Sequence, residues 1–444
     1  MSNFQKIFKT FIEKNSNSLS FLKYIPFSVR LGRKYKEHQK LIDWYENLNE
    51  EERNRFHYEK LKKILDFSYS KIPFYRDFYQ SKNYNPKKFL KFEDFLDVPI
   101  VSKQDLKKYS LEKRSLKLYN SEISNTGGTS GNPLNFRIDA NTFSREWAYM
   151  HKIWKRLDYR HSDIKLTFRG KNLGPEPIKY NLIHNEYIVN AYLNYDLILE
   201  KLEKISLHND IKFIHGYPSS IYEFCKYLKE KSYDARNSFM KDLKGVFLGS
   251  EFPAPVYRNF IEDYLQVPAI AWYGHSEFAI LAPEISPYVF SPFQTYGLAE
   301  AIDEDSNSKK EFKLLATGYY NFASPFIRYD TEDMIKNPVI ENNILQRFEI
   351  SSGRIGDFIL DKNNKKISLT ALIFGRHHLA FGKADFIQIS SDSKGQASLL
   401  VTSKNEVKLS DFDLTNVQID FNLKILKKPI KTKNGKLPLL VKNQ

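Results

Sequence analysis

The chain has 444 residues, 41% of them hydrophobic, a single cysteine and a formal net charge of +15. That length and apolar content exclude a disordered tail and leave room for two or three domains; the lone Cys225 excludes a disulfide framework and any cysteine zinc site and fits a reducing cytoplasm. The basic surplus favours anions such as nucleotides, coenzyme A, anionic sugars or an acidic membrane, and because the lysines are dispersed and no recognition motif occurs, no nucleic acid is expected.

Near the start, Phe4, Ile7, Phe8, Phe11 and Ile12 fall on one helical stripe interspersed with Lys6, Lys9 and Lys14. Such a basic amphipathic helix can dock on its own domain or make a peripheral contact at the inner face of a membrane. No apolar run reaches spanning length and no signal-peptide core is present. Residues 36–72 read as helical, with apolar stripes at Leu41, Trp44, Tyr45 and Leu48 and at Leu61, Ile64 and Leu65, and Pro73 ends the run. Proline-punctuated connectors lie at 72–76 and 97–103.

Residues 124–133 read Ser-Asn-Thr-Gly-Gly-Thr-Ser-Gly-Asn-Pro. Gly127, Gly128 and Gly131 let the backbone approach a ligand, and with Thr126, Thr129 and Ser130 the stretch can offer N–H groups and hydroxyls to phosphate oxygens. The same residue types also make ordinary surface turns. The stretch is not a Walker loop, since no Gly-Lys-Ser/Thr follows, and not the dinucleotide Gly-x-Gly-x-x-Gly.

Beyond it, strands and helices alternate. Residues 164–169, 211–215, 245–248 and 269–273 have strand character, and each run meets a glycine. The helix after Gly216, with serine at a capping position, carries Ile221, Phe224, Cys225 and Leu228 on one face, which assigns the thiol to core packing. Another helix follows Pro255. The alternation predicts a largely parallel sheet with its ligand site at the strands' carboxyl ends. Two strands end in Gly249-Ser250-Glu251 and Tyr273-Gly274-His275-Ser276-Glu277. Farther on come Arg328-Tyr329-Asp330-Thr331-Glu332-Asp333, read as a strand leading to an acidic turn, and Gly353-Arg354-Ile355-Gly356-Asp357. A hairpin is expected around 361–366, β segments at 386–389 and 398–401, and Gly435-Lys436 stands near the C-terminus.

Taken in this order, the segments resemble those of the adenylate-forming ligases, the superfamily of acyl-CoA synthetases, luciferases and peptide-synthetase adenylation domains. Within it the likeness is to the phenylacetate-CoA ligase branch and its members associated with capsular polysaccharide synthesis. The resemblance implies an α/β fold: a large N-terminal domain with mainly parallel sheets, divided into a helical region at 1–105 and an ATP- and carboxylate-binding core at 106–353, and a smaller α+β lid at 354–444. It also implies roles. Thr126, Gly127, Gly128, Thr129, Ser130 and Gly131 would hold phosphates, while Gly249, Ser250, Glu251 and Tyr273 would border the nucleotide. Ser276 would contact a phosphate and Glu277 would hold Mg2+. Asp333 would accept from the ribose hydroxyls, which suits a carboxylate facing a cis-diol, and Arg354 would reach the ribose or α-phosphate. Asp357 would be the hinge, and Lys436 would contact the substrate carboxylate and α-phosphate. The chain departs from the family at Asn132, where lysine is frequent, and at Glu332, where glycine is usual.

The implied activity is an AMP-forming ligase of the cytoplasm that uses ATP and Mg2+ to activate a small carboxylate and passes the acyl group to coenzyme A or to an amine on an amino acid or amino sugar. Two other readings fit the composition: a turnover-deficient nucleotide-binding relative, and a basic membrane-surface or nucleic-acid-binding protein.

Overall fold

The computed structural model describes residues 24–126, 134–169, 173–191, 193–303, 311–352, 358–364, 366–374, 378–415, 417–432 and 437–441. The stripe at 4–12 lies outside them. The expected helical run divides into α1 (Arg33–Tyr45) and α2 (Glu50–Lys71). The break comes from Asn49, which caps α2 through a reciprocal box: its side chain accepts from Glu52 N at 2.9 Å while Glu52 Oε2 accepts from Asn49 N at 2.9 Å. The buried face of α1 is Tyr35, His38, Ile42 and Tyr45; of the expected stripe, Tyr45 is buried and Leu41 and Leu48 pack against the core, while Trp44 is half exposed. Pro73 does end α2, but as the first residue of α3 (Pro73–Ser81) it also starts a helix, since its missing N–H costs nothing there.

Strands β1 (Glu122–Asn125) and β2 (Asn135–Ile138) pair antiparallel, so the glycine-rich stretch connects the two arms of a hairpin. Helix α4 (Thr142–Trp154) follows. Twelve strands then form one sheet. They are β3 (Ile164–Phe168), β4 (Ile178–Asn181), β5 (Glu186–Val189), β6 (Ile211–Gly216), β7 (Gly245–Leu248), β8 (Ala269–Gly274), β9 (Leu281–Ser286), β10 (Val289–Phe290), β11 (Gly297–Asp303), β12 (Glu311–Gly318), β13 (Tyr329–Glu341) and β14 (Ile344–Ser352). Their order is β11-β12-β13-β14-β10-β9-β8-β7-β6-β3-β5-β4. The run β5-β3-β6-β7-β8 is parallel, with α5 (Tyr195–Ser206), α6 (Pro218–Glu230) and α7 (Pro255–Leu265) as crossovers. This is the part the alternating pattern predicts. From β8 onward the neighbours run antiparallel, because short turns rather than helices join most of those strands.

Trp154 at the end of α4 stacks on Phe247 of β7, with centroids 4.6 Å apart and planes within 4°. This contact fixes α4 against the sheet, and truncating so buried a ring typically costs about 3–5 kcal/mol. Cys225 is fully buried in the core beneath α6, as its helical face predicts. Arg328 is buried too, its guanidinium on Glu300 and on the carbonyls of Leu96 and Val98; it ties the proline-rich connector to the sheet.

The C-terminal part is a separate small assembly. Hairpin β15 (Phe358–Leu360) and β16 (Lys366–Ser368) is where it was expected. A three-stranded sheet follows, with β17 (Phe386–Ser393) antiparallel to β18 (Gln396–Thr402) and β18 parallel to β19 (Asp420–Leu426). Its apolar side has its own core, including Ile359, Leu372, Ile389, Leu399 and Val401. Phe386 reaches across to the rings of Tyr222 and Tyr257. Around that contact, ion pairs join α6 to the C-terminal sheet: Lys226 with Asp385, Lys404 with Glu230, and Lys431 with Glu223 at 2.8 Å. No helix among the described residues is long and apolar enough to cross a membrane.

Candidate active site

The carboxyl ends of the parallel strands border a cavity of about 480 Å³, a size typical of small-molecule sites. Residues that follow β7 and β8, with one from β13, build one side. An added Cβ on Gly249 would sit 2.2 Å from Trp272 Cζ2, so the indole's approach demands glycine there. Ser250 has φ +67°, a left-handed conformation that non-glycine residues keep only under constraint. Glu251 accepts from Ser219 Oγ at 2.7 Å, Ser219 N at 3.3 Å and Leu437 N at 3.1 Å. It therefore clamps the start of α6 to the C-terminal segment. A serine was expected at a capping position, yet α6 begins at Pro218 with no side-chain cap, and the Ser219 hydroxyl serves Glu251 instead.

Tyr273 Oη donates to Asp333 Oδ2 at 2.5 Å, which joins the end of β8 to β13. Asp333 was expected on a turn; it lies within β13, at a register shift against β12. Thr331 Oγ1 donates to Leu314 O at 2.7 Å and accepts from Asp333 N at 3.2 Å. Such a bulge re-aims the side chain that follows it. Glu332 sits at φ +63°, the conformation in which glycine is unstrained; that is a physical reason for glycine to be the usual residue there. The strained bulge is held by Asp330 Oδ1, which accepts from Glu332 N at 2.9 Å, and by Lys103, 3.5 Å from the Glu332 carboxylate.

Ser276 is half-buried in the cavity wall. Glu277 is 6% exposed, with Oε2 3.2 Å from His275 Nδ1. Among the described residues no group of three or more His, Cys, Asp or Glu side chains could hold a metal. Mg2+ commonly takes one or two protein carboxylates and completes its shell with phosphates and water; Glu277, the carboxylate expected for it, lies between Ser276 and Phe278, which line the cavity, and is not itself among the lining residues. Thr126 closes the base of the β1–β2 hairpin: its N–H donates to Leu134 O at 3.0 Å and its Oγ1 accepts from Leu134 N at 3.0 Å. Gly127, Gly128, Thr129, Ser130, Gly131, Asn132, Arg354, Asp357 and Lys436 lie outside the described residues. The chain on either side of 433–436 is anchored: Gln388 Nε2 donates to Ile430 O at 2.8 Å and Pro438 O at 2.7 Å, and Ile389 N donates to Leu439 O at 2.8 Å. Leu437 and Leu439 line the cavity.

The other side of the cavity was missed in the sequence. Helix α4 turns Phe143, Glu146, Trp147 and Met150 toward it, an i, i+3, i+4, i+7 face. An acid in the middle of that stripe was the available signal. Glu146 accepts from the Tyr296 hydroxyl. Burial pushes its carboxyl up to about 7 against the pull of the Tyr296 hydrogen bond and of His275 and Arg169. His215 at the end of β6 also lines the cavity, between the rings of Trp154 and Trp272, at centroid distances of 5.0 and 5.8 Å.

No family model matches the chain. Protein CapK of Staphylococcus aureus is 22% identical over 404 residues, spanning 84% of this chain and 86% of CapK. A 2-hydroxyisobutyryl-CoA ligase in the postadenylation state superposes with a TM-score of 0.65 at 16% identity, over 89% of this chain and 91% of that one. The AtGH3.15 acyl acid amido synthetase in complex with 2,4-DB gives 0.60 at 12% identity, over 92% and 94%. The resemblance read from the motifs is thus matched in three dimensions: the chain has the fold of the adenylate-forming ligases and is similar to CapK along most of its length.

Proposed function

We propose that this chain is an ATP-dependent ligase that converts a small carboxylate to an acyl-adenylate with release of pyrophosphate, then passes the acyl group to a thiol or an amine. The observation that carries the reading is the convergence of Ser250, Glu251, Tyr273, Ser276 and Asp333 on one cavity that the C-terminal Leu437 also lines. In this reading 106–353 is the catalytic core, 354–444 a lid and Asp357 its pivot. Asp333, held by Tyr273, receives the ribose hydroxyls. The hairpin loop at 127–131 and Ser276 offer donors to the phosphates, and Arg354 reaches the ribose or α-phosphate. Glu277 would hold Mg2+, which when bound offsets charge on the phosphate oxygens.

The attacking carboxylate is ionised at neutral pH, so no general base is needed. Its oxygen attacks the α-phosphorus, the bond to pyrophosphate breaks, and AMP becomes the leaving group that oxide could not be. Lys436, on a segment that Gln388 pins on both sides, neutralises the charge that builds on the α-phosphate. Rotation of the lid then clears Lys436 for the acceptor. Likeness to the phenylacetate-CoA ligase branch favours coenzyme A; likeness to the capsule-associated branch favours an amine in surface polysaccharide synthesis. ATP as substrate places the reaction in the cytoplasm.

Incubation with ATP, Mg2+, a panel of carboxylates and hydroxylamine tests this reading. It predicts pyrophosphate and hydroxamate, both reduced by about a hundredfold or more in Lys436→Ala. Orthophosphate with ADP would overturn it.

A further inference from the structure

Buried histidines among the described residues differ in how their ring nitrogens are met. His38 lies 3.2 Å from Tyr149 Oη, His57 lies 2.7 Å from Tyr45 Oη and 2.6 Å from Tyr319 Oη, and His151 lies 2.9 Å from Tyr35 Oη. Each meets a tyrosine hydroxyl, although His151 Nε2 has no hydrogen-bond partner among the described residues. His215 is 1% exposed, and among the described residues neither of its ring nitrogens has a hydrogen-bond partner. It also lines the cavity, as does His275, whose Nδ1 faces the Glu277 carboxylate at 3.2 Å. An unpartnered polar group so deeply buried is unfavourable, a cost that a ligand can offset.

Its chemistry restricts that ligand. Burial first, and then the charges of Arg169 and Lys165, hold the imidazole far below its ordinary range, so the ring is neutral. A neutral imidazole presents one N–H and one lone pair. A hydroxyl answers either; an ammonium answers only the lone pair and a carboxylate only the N–H. The charge of Arg169 bears on both His215 and Glu146 and opposes an ammonium.

Resting on the ligase reading above, we propose that the acid activated here is a hydroxylated carboxylic acid whose hydroxyl groups hydrogen-bond to His215 in the half of the cavity lined by Glu146 and Trp147. His215 is thereby a specificity-determining residue. It takes no part in the bond exchange at phosphorus.

The test is ATP–pyrophosphate exchange with acids matched in carbon skeleton: lactate against propionate, 3-hydroxybutyrate against butyrate and gluconate against hexanoate, with alanine and succinate as ammonium and dicarboxylate arms. The expected result is a hydroxylated acid favoured over its unsubstituted partner by roughly a hundredfold in kcat/KM, as sites built to bind a hydroxyl discriminate. His215→Phe should bring that preference below about tenfold while His215→Gln, which keeps a donor and an acceptor, retains most of it; ATP affinity measured calorimetrically checks that both variants are folded. Exchange that is equal or greater with the unsubstituted acids, or greatest with alanine or succinate, overturns this inference and leaves the ligase standing. So does an unaltered preference in folded His215→Phe. Bound ATP with no exchange for any acid overturns the ligase reading and the inference with it.

Discussion

The two sides of the cavity are built in different ways. On one, short contiguous motifs at strand ends place Ser250, Tyr273 and Ser276, with Asp333 brought in from β13. On the other, α4 contributes residues a turn apart and β6 contributes His215, with Tyr296 from the segment before β11 hydrogen-bonded to Glu146, so nothing contiguous marks the site. The backbone path fixes the first side, since a strand end and its turn can point only one way. Packing of a helix on a sheet fixes the second. On the reading proposed above, the first side takes the nucleotide, which every reaction cycle shares, and the second takes the acid, which is free to differ from protein to protein.

The sharpest way to break that contrast is Asp333→Ala. Losing the carboxylate and the Tyr273 hydrogen bond should weaken ATP binding by tenfold or more, equivalent to about 1.5–3 kcal/mol for a charged hydrogen bond, without changing the ranking of acids. Calorimetric titration with ATP checks it, and unchanged affinity would remove the nucleotide from that side.

Glu146→Gln probes the opposite side through pH. The Glu146 carboxyl is raised to about 7 in the folded protein, above an unfolded value near 4.3. The folded state therefore holds the proton more tightly, and the stability this provides is present below about pH 4 and lost as pH rises to 7. Urea unfolding should show wild type losing up to about 3 kcal/mol relative to the variant between pH 5 and 8, at about 1.4 kcal/mol per pKa unit. Parallel curves would mean that Glu146 is not buried against the cavity.

The smallest effect belongs to Glu332→Gly. Relief of the left-handed strain is worth about 1–2 kcal/mol. Part of it is offset by the greater freedom of glycine in the unfolded chain and by loss of the long Lys103 contact. A gain of up to about 1 kcal/mol is expected in the same unfolding assay, with ATP affinity unchanged.

The same contrast explains what could be read from the sequence. The parallel strands, the motif residues at their ends and the C-terminal hairpin were legible, because each is written in a few adjacent residues. The α1 stripe was misread at Trp44, which is half exposed, and omitted His38, which the helix buries against Tyr149; only the partner shows that a polar ring can belong to a core face. The bulge that turns Asp333 inward depends on Leu314 of the neighbouring strand, a partner remote in sequence. His215 was visible as a strand-end residue, but its unanswered nitrogens are a property of the folded interior.

The central claim, attack of a carboxylate oxygen on the α-phosphorus, is tested most directly with an acid labelled by oxygen-18 in its carboxylate. Turnover with ATP, Mg2+ and hydroxylamine should place one labelled oxygen in each AMP, read by mass spectrometry, and none in pyrophosphate. Label in orthophosphate, accompanied by ADP, would contradict the account.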